Sequence, residues 1–235
     1  MVPTYNEKEN IKEFKRRLEP VLQAMGGKMT VLFVDDNSPD GTGAEIRGLM
    51  QGDPAFQLLE REGKKGLGTA YIDGFRHVIQ SQDAEVLVQM DADLQHPPEI
   101  LESLVAKVAS GGADVAIASR KVKGGASTGL NWRRRMISRG ASWFSRTVLG
   151  LGVKDTTTGF KALKRSAVEC LLAHPPQTSG FVFQVESLYI LKKNGFKMAE
   201  VPFDFEKRER GVSKMGNGEI WEFFVGVLSI RFRKY

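Results

Sequence analysis

Val86-Leu87-Val88-Gln89-Met90 runs directly into Asp91-Ala92-Asp93-Leu94-Gln95. A short apolar run of this kind reads as a buried strand, and it delivers two carboxylates at its C-terminal end. In extended chain, residues two apart face the same side. The spacing therefore predicts that Asp91 and Asp93 share one cation, with Gln95 adding a third oxygen. Hard oxygen donors, with no His or Cys among the nearest candidates, suit Mg²⁺ or Mn²⁺ held jointly with substrate phosphates. Open α/β sheets bind ligands at the carboxyl ends of their strands, so a phosphate-bearing substrate is expected here. A plainer reading stands beside this one. Two aspartates often only end a strand, and Pro97-Pro98-Glu99 resembles the start of a helix.

Working outward, strand-like and helix-like segments alternate. Residues 7–25 carry apolar side chains at helical spacing (Ile11, Phe14, Leu18, Leu22) and end at Gly26-Gly27. Strands are expected at 29–34, 56–59 and 113–118, the last ending at Ser119-Arg120, and helices at 44–50, 69–79 and 100–108. Repeated βα units imply an α/β fold with a mostly parallel, Rossmann-like sheet flanked by helices on both faces. After Arg120 the pattern loosens into a Gly/Lys/Ser loop at 121–129 and a long amphipathic stretch at 130–149. A Thr-rich turn with a short strand-like piece follows at 155–165, then helical segments at 167–172 and 188–193 and a strand at 196–205. No internal repeat or Pro- or Ser-rich linker interrupts the chain. A single domain over residues 1–235 is expected, with a nucleotide-binding half (1–120) and an acceptor-binding half (121–235).

The 235 residues hold 34 Lys and Arg against 28 Asp and Glu, a formal charge of +6 that favours an anionic partner. The single cysteine, Cys170, excludes an internal disulfide and reads as a small buried hydrophobe. No stretch approaches the roughly 20 apolar residues that cross a bilayer. The longest apolar run, at 223–230, is far shorter, so a soluble or peripheral protein without a leader segment is expected.

Gly63-Lys64-Lys65-Gly66-Leu67-Gly68-Thr69 fails as a P-loop, which needs Lys where Thr69 stands. It fails as a dinucleotide fingerprint because Tyr71 occupies a Gly/Ala position. Its glycines are read as allowing a tight turn and a close backbone approach. His77, His96 and His174 have no partner at metal-ligand spacing, which excludes a zinc enzyme, and no order of residues recommends a serine hydrolase. His77 reads as a surface or packing residue. His96, next to Gln95, is left open as a neighbour of the site.

Several segments then converge in order: Pro3-Thr4-Tyr5-Asn6-Glu7, Val34-Asp35-Asp36-Asn37-Ser38-Pro39-Asp40-Gly41, Gly66 to Tyr71, Asp91 to Gln95 and Ser119-Arg120. Ile137-Ser138-Arg139-Gly140-Ala141, Asp155 to Phe160, Phe181 to Glu186 and Arg208 through Lys214 continue the series. In this arrangement the whole chain resembles the dolichol-phosphate (polyprenol-phosphate) mannosyltransferases of inverting glycosyltransferase family 2, whose fold is GT-A-type. The resemblance implies transfer of mannose from GDP-mannose to a polyprenyl phosphate, with Mg²⁺ or Mn²⁺ as cofactor. It implies that Pro3, Tyr5, Glu7, Val34 and Asp36 hold the donor nucleoside, and that Asp91, Ala92 and Asp93 form the acidic donor motif. Asp91, Asp93 and Gln95 would ligate the metal. Arg120 and Arg208 would contact donor or acceptor phosphate and, with Asp91 and Asp93, form the catalytic set. Lys214 would belong to the acceptor loop. Arg133 is a further phosphate candidate, although Arg134 or Arg135 beside it could take that role.

Taken singly these residues have ordinary readings too: Asp35 shapes its loop, Ser38-Pro39-Asp40-Gly41 is a turn signal, and Arg133 to Arg135 with Arg139 form a solvated helix face. A lipid acceptor implies a peripheral position on the cytoplasmic face of a membrane, with room for a membrane-anchoring partner subunit. The basic amphipathic stretch containing Trp132, Met136 and Trp143 either lies in the interface or packs on the sheet. Departures from the family are the brevity of the first strand, with only Met1-Val2 before Pro3, and Lys161 where relatives often carry Arg. The nearest rival is a polyprenyl-phosphate glucosyltransferase using UDP-glucose. A basic nucleic-acid-binding module is the rival from another class, but no nucleic-acid motif is present and nucleic acid is not expected as a partner.

Overall fold

Strand β1 (Val2–Thr4) opens a computed structural model that describes residues 1–206 and 217–233. It is followed by α1 (Lys8–Ala24), β2 (Val31–Asp35), α2 (Thr42–Met50), β3 (Phe56–Glu60), α3 (Leu67–Ser81) and β4 (Val86–Gln89). A 3₁₀ turn (Pro98–Ile100) leads into α4 (Leu101–Ala109) and β5 (Val115–Ser119). The later elements are α5 (Trp132–Leu149), β6 (Lys161–Lys164), α6 (Arg165–Ala173), α7 (Gly180–Lys193), β7 (Met198–Pro202) and α8 (Asn217–Phe232).

β1, β2 and β3 pair in parallel, and β4, β6, β5 and β7 form a second run in that spatial order. Met1 joins the two runs edge to edge. Its carbonyl accepts from the Met90 N–H at 3.1 Å, and its nitrogen lies 2.6 Å from the Val88 carbonyl oxygen. β7 continues in parallel beside β5, whereas β6 is antiparallel to both neighbours. The cause lies at one end of the sheet. The Arg120 N–H, just past β5, donates to Asp155 at 3.1 Å. The segment leading into β6 therefore starts where β5 finishes, and the strand has to run back.

Side-chain alternation builds a core on each face. Leu32, Val34, Leu87, Val115 and Ile117 face the layer of α3, α6, α7 and α8. Val31, Phe33, Val88, Ala116 and Ala118 face that of α1 and α4. In the second layer Phe33 lies edge-on to Phe14 (5.9 Å between centroids) and stacks on Phe56 (6.2 Å). Burying each such ring contributes about 1.5–3 kcal/mol. In α7 every residue from Val182 to Leu191 is buried. A helix enclosed all round carries no amphipathic period, which is why its first half escapes a reading by pattern.

Candidate active site

β4 ends at Gln89, so Asp91 to Gln95 do not continue as strand. Leu94 has φ +63° and the Gln95 N–H donates to Asp93 Oδ1 at 3.1 Å, a side-chain-closed turn. The carboxylates are thus brought together by a turn and not by strand alternation, a correction to the extended-chain argument. Asp93 is buried and Asp91 partly exposed. The Tyr71 hydroxyl donates to Asp91 Oδ1 at 3.3 Å, and burial with the Asp91 charge pushes the Tyr71 phenol well above its usual range. The Asp91 N–H donates to His96 Nδ1 at 3.1 Å. His96 is buried, stacked on Phe160 at 5.0 Å and edged by Phe203 and Phe205. The histidine left open by the sequence is therefore a positioning residue behind Asp91. Gln95 donates through Nε2 to the Glu206 carbonyl at 3.1 Å, which leaves its amide oxygen as an acceptor.

Among the described residues no group of three or more His, Cys, Asp and Glu suits a metal. Asp91 and Asp93 nonetheless line one cleft together with Gln95. Two carboxylates and an amide oxygen fit a hard divalent cation that completes its shell with water and substrate phosphate.

Two clefts meet at this turn. The first, about 300 Å³, is walled by Pro3, Tyr5, Glu7, Asp36 and Ala92 as well as Lys64. The second, about 200 Å³, is walled by Gln95, Arg120, Arg134, Ile137 and Phe223. Asp91, Asp93 and Phe181 line both. In the first cleft Lys64 Nζ lies 4.2 Å from the Tyr5 ring centroid. Asp36 is buried against Arg61 at 2.6 Å, and burial raises its carboxyl despite that partner. Asp35 shapes its loop as read from sequence, accepting from Thr4 Oγ1 and the Ser38 N–H, both at 2.9 Å. Gly66, at φ +97°, starts α3 with no side-chain cap, and its first turn borders the cleft. Uncapped helix N–H groups at such a place suit an anion. Val34 is wholly buried in the core and its side chain lines neither cleft, which leaves only its backbone to serve the nucleoside.

Arg120 does not stand free. Its Nε and one terminal nitrogen donate to the two oxygens of Asp155 at 2.6 and 2.7 Å, and the latter also reaches Thr157 Oγ1 at 3.1 Å. Lys121 shares Asp155 at 3.2 Å. Burial would raise the Asp155 carboxyl, but Arg120 and Lys121 outweigh it and hold it well below the usual range. Burial pushes Lys121 down to about 8, partly offset by Asp155. Sequence reasoning did not find this triad, although Asp155 opens one of the segments that carry the family resemblance. Arg133 is exposed, near the Trp132 ring at 5.8 Å, and lines neither cleft; Arg134 lines the second. Arg208 and Lys214 lie outside the described residues.

A mixed α/β sheet whose strand ends carry an Asp-x-Asp turn between two clefts defines a GT-A-type glycosyltransferase. Residues 1–172 match the model of glycosyl transferase family 2, and the chain belongs to that family. It is 40% identical over 236 residues to a polyprenol monophosphomannose synthase from Mycolicibacterium smegmatis, with 99% of this chain and 87% of the relative covered. It is 38% identical to an undecaprenyl-phosphate mannosyltransferase from Micrococcus luteus (97% and 90% covered). It is also 38% identical to a dolichol-phosphate mannosyltransferase from Pyrococcus furiosus, of which it spans only 60%. The fold is similar to that of glucosyl-3-phosphoglycerate synthase from Mycobacterium tuberculosis, solved with Mn²⁺, UDP-glucose and glycerol 3-phosphate. That match has a TM-score of 0.64 and 17% identity, and covers 98% of this chain and 78% of that one.

Proposed function

We propose that this enzyme transfers mannose from GDP-mannose to a polyprenyl phosphate with inversion at the anomeric carbon. Residues 1–120 would carry the donor and residues 121–235 the acceptor. The observation that carries the reading is the second cleft. It sets Arg120 and Arg134 against an apolar wall that includes Leu130, Ile137 and Phe223, beside Asp91 and Asp93. Such a lining suits an anion attached to a hydrocarbon. The names of the relatives point to the same acceptor class.

In this reading Pro3, Tyr5, Glu7 and Asp36 hold the nucleoside in the first cleft, where ring and carboxylates are available to base and ribose. Asp91, Asp93 and Gln95 hold Mg²⁺ or Mn²⁺, which when bound neutralises charge on the departing diphosphate. Arg120, Arg208 and Lys214 serve phosphate groups, and Arg134 takes the role considered for Arg133. No general base is required, because a phosphate monoester has a second pKa of about 6 and is already a nucleophile at neutral pH. His96 supports this: its Nδ1 is occupied by the Asp91 N–H and its ring is packed on Phe160.

Among the described residues no helix is long and apolar enough to cross a membrane. Exposed Trp132, Met136 and Trp143 on α5, with Trp221, Leu228 and Phe232 on α8, suit a peripheral position on the cytoplasmic face, with or without an anchoring partner. Incubation with Mn²⁺, a short polyprenyl phosphate and either GDP-mannose or UDP-glucose tests the assignment. Lipid-linked mannose is expected. Lipid-linked glucose alone would replace the donor, and turnover of neither would reject the reading.

A further inference from the structure

Adjoining the second cleft along α5, with Arg120 and Ser138 common to both, lies a larger cavity of about 500 Å³. Arg135, Ser138, Arg139, Ser142, Trp143 and Arg146 turn toward it from one helix face, at successive spacings of three, one, three, one and three residues. Lys121 and Lys154 close it from the other elements, Arg120 stands at its border, and no carboxylate is among its lining residues. Arg135 and Arg139, four apart, repel one another weakly, and Arg146 adds a third cation two turns further on, so the face attracts an anion.

The protein supplies little of that anion. Among the described residues the side chains of Arg139, Arg146 and Lys154 form no ion pair or hydrogen bond, and Arg146 Nε is buried without a partner. Glu200, the nearby acid, spends both oxygens on the N–H groups of Lys154 and Asp155, at 2.8 and 3.0 Å. Asp155 is committed to Arg120 and Lys121. Guanidinium groups that line a cavity free of carboxylates suit an oxyanion, which they bind in planar, two-pronged fashion.

We propose that this cavity is a second anion site, taking a phosphate-bearing ligand beside the cleft at Asp91 and Asp93, which it borders at Arg120 and Ser138 and whose carboxylates do not line it. Its volume exceeds that of a bare phosphate and accommodates a diphosphate or a glycerophosphate head. Two sources present that chemistry: a soluble phosphate compound, or the headgroup of an anionic phospholipid reached past the exposed Trp143.

The test is a binding measurement on the full chain in EDTA at low salt, independent of sugar transfer. The probes are inorganic pyrophosphate, by calorimetric titration, and phosphatidylcholine vesicles with and without phosphatidylglycerol, by flotation. The site predicts binding that weakens about tenfold in Arg146→Gln, the loss of one charge-assisted hydrogen bond, and further in Arg139→Gln/Lys154→Gln. Asp93→Ala should leave it unchanged. Lys154 is exposed, so Lys154→Gln reports on the site even if Arg146→Gln folds poorly. Pyrophosphate binding lost in these variants assigns a soluble anion. Vesicle binding that needs phosphatidylglycerol and is lost in the same variants assigns the lipid headgroup. Binding of neither probe, or binding indifferent to all these substitutions, would overturn the proposal.

Discussion

Arg120 grips Asp155 with two nitrogens, at 2.6 and 2.7 Å, and Asp155 is completely shielded from water. Lys121 leans on the same carboxylate. Removing the charge in Asp155→Asn leaves two nearly covered cations sharing a neutral amide. Breaking a buried pair from one side costs about 3–5 kcal/mol, and urea unfolding at neutral pH should register a loss of that size. The loss should depend on pH in a set direction. Arg120 and Lys121 depress the carboxyl despite its burial. Its stabilisation is therefore complete above the unfolded carboxyl pKa of about 3.9 and fades as pH falls below it. The gap between wild type and variant should be wide at pH 6 and narrow steadily in acid.

Lys161 gives the opposite slope. Its ammonium is fully buried, and burial pushes it down to about 7 against the attraction of Asp155 and Asp91. Between pH 7 and the unfolded value of about 10.4 the unfolded chain binds the extra proton, so stability rises with pH across that window. Lys161→Met removes this gain. Thermal or urea unfolding from pH 6 to 9 should show wild type improving relative to the variant as pH rises, by at most about 1.4 kcal/mol per pH unit. A constant difference would mean that Lys161 stays charged throughout.

The alternation of βα units was legible because each strand reads as a short apolar run and α1 and α4 have one wet face. The acidic motif was legible because it sits where β4 ends. What stayed hidden depends on partners far apart in the chain. The reversal of β6 comes from Arg120 meeting Asp155, 35 positions away. Val34 belongs to a motif expected at the nucleoside, while its strand is buried along its whole length, a depth of burial that a motif does not reveal. The choice among Arg133, Arg134 and Arg135 turns on helical phase, which cannot be set until α5 is docked on α8. From Val182 onward α7 shows no periodicity because all its sides are covered.

Gly68 permits a close approach of helix and ring, since a Cβ built there would lie 2.6 Å from Phe183 Cδ2. Alanine favours helix over glycine by about 1 kcal/mol, but Phe183 is buried and stacked on Tyr71 at 6.0 Å, with little room to yield. Overpacking should win, and Gly68→Ala should destabilise the protein by about 1–3 kcal/mol. Because Tyr71 also holds Asp91, transfer should fall alongside stability in the same preparation.

Asp93 borders both clefts and orders the turn through the Gln95 N–H. Asp93→Ala is expected to abolish Mn²⁺-dependent binding of the nucleotide sugar, measured by titration with and without metal. Transfer should drop by about a hundredfold or more, several kcal/mol of lost charge stabilisation. Normal transfer in the variant would exclude Asp93 as a ligand.

Arg133 and Arg134 separate the motif-based assignment from the geometric one. Arg133 is exposed and lies near the Trp132 ring, whereas Arg134 borders the second cleft with Arg120. A phosphate in that cleft would gain a charge-assisted bond from Arg134, whose loss costs about 1.5–3 kcal/mol. Arg134→Ala should raise KM for polyprenyl phosphate about tenfold or more while leaving KM for GDP-mannose near the wild-type value. Arg133→Ala should change neither at moderate salt, since an exposed cation contributes little through water. Steady-state kinetics with each substrate varied in turn decides between them, and the reverse pattern would return the acceptor role to Arg133.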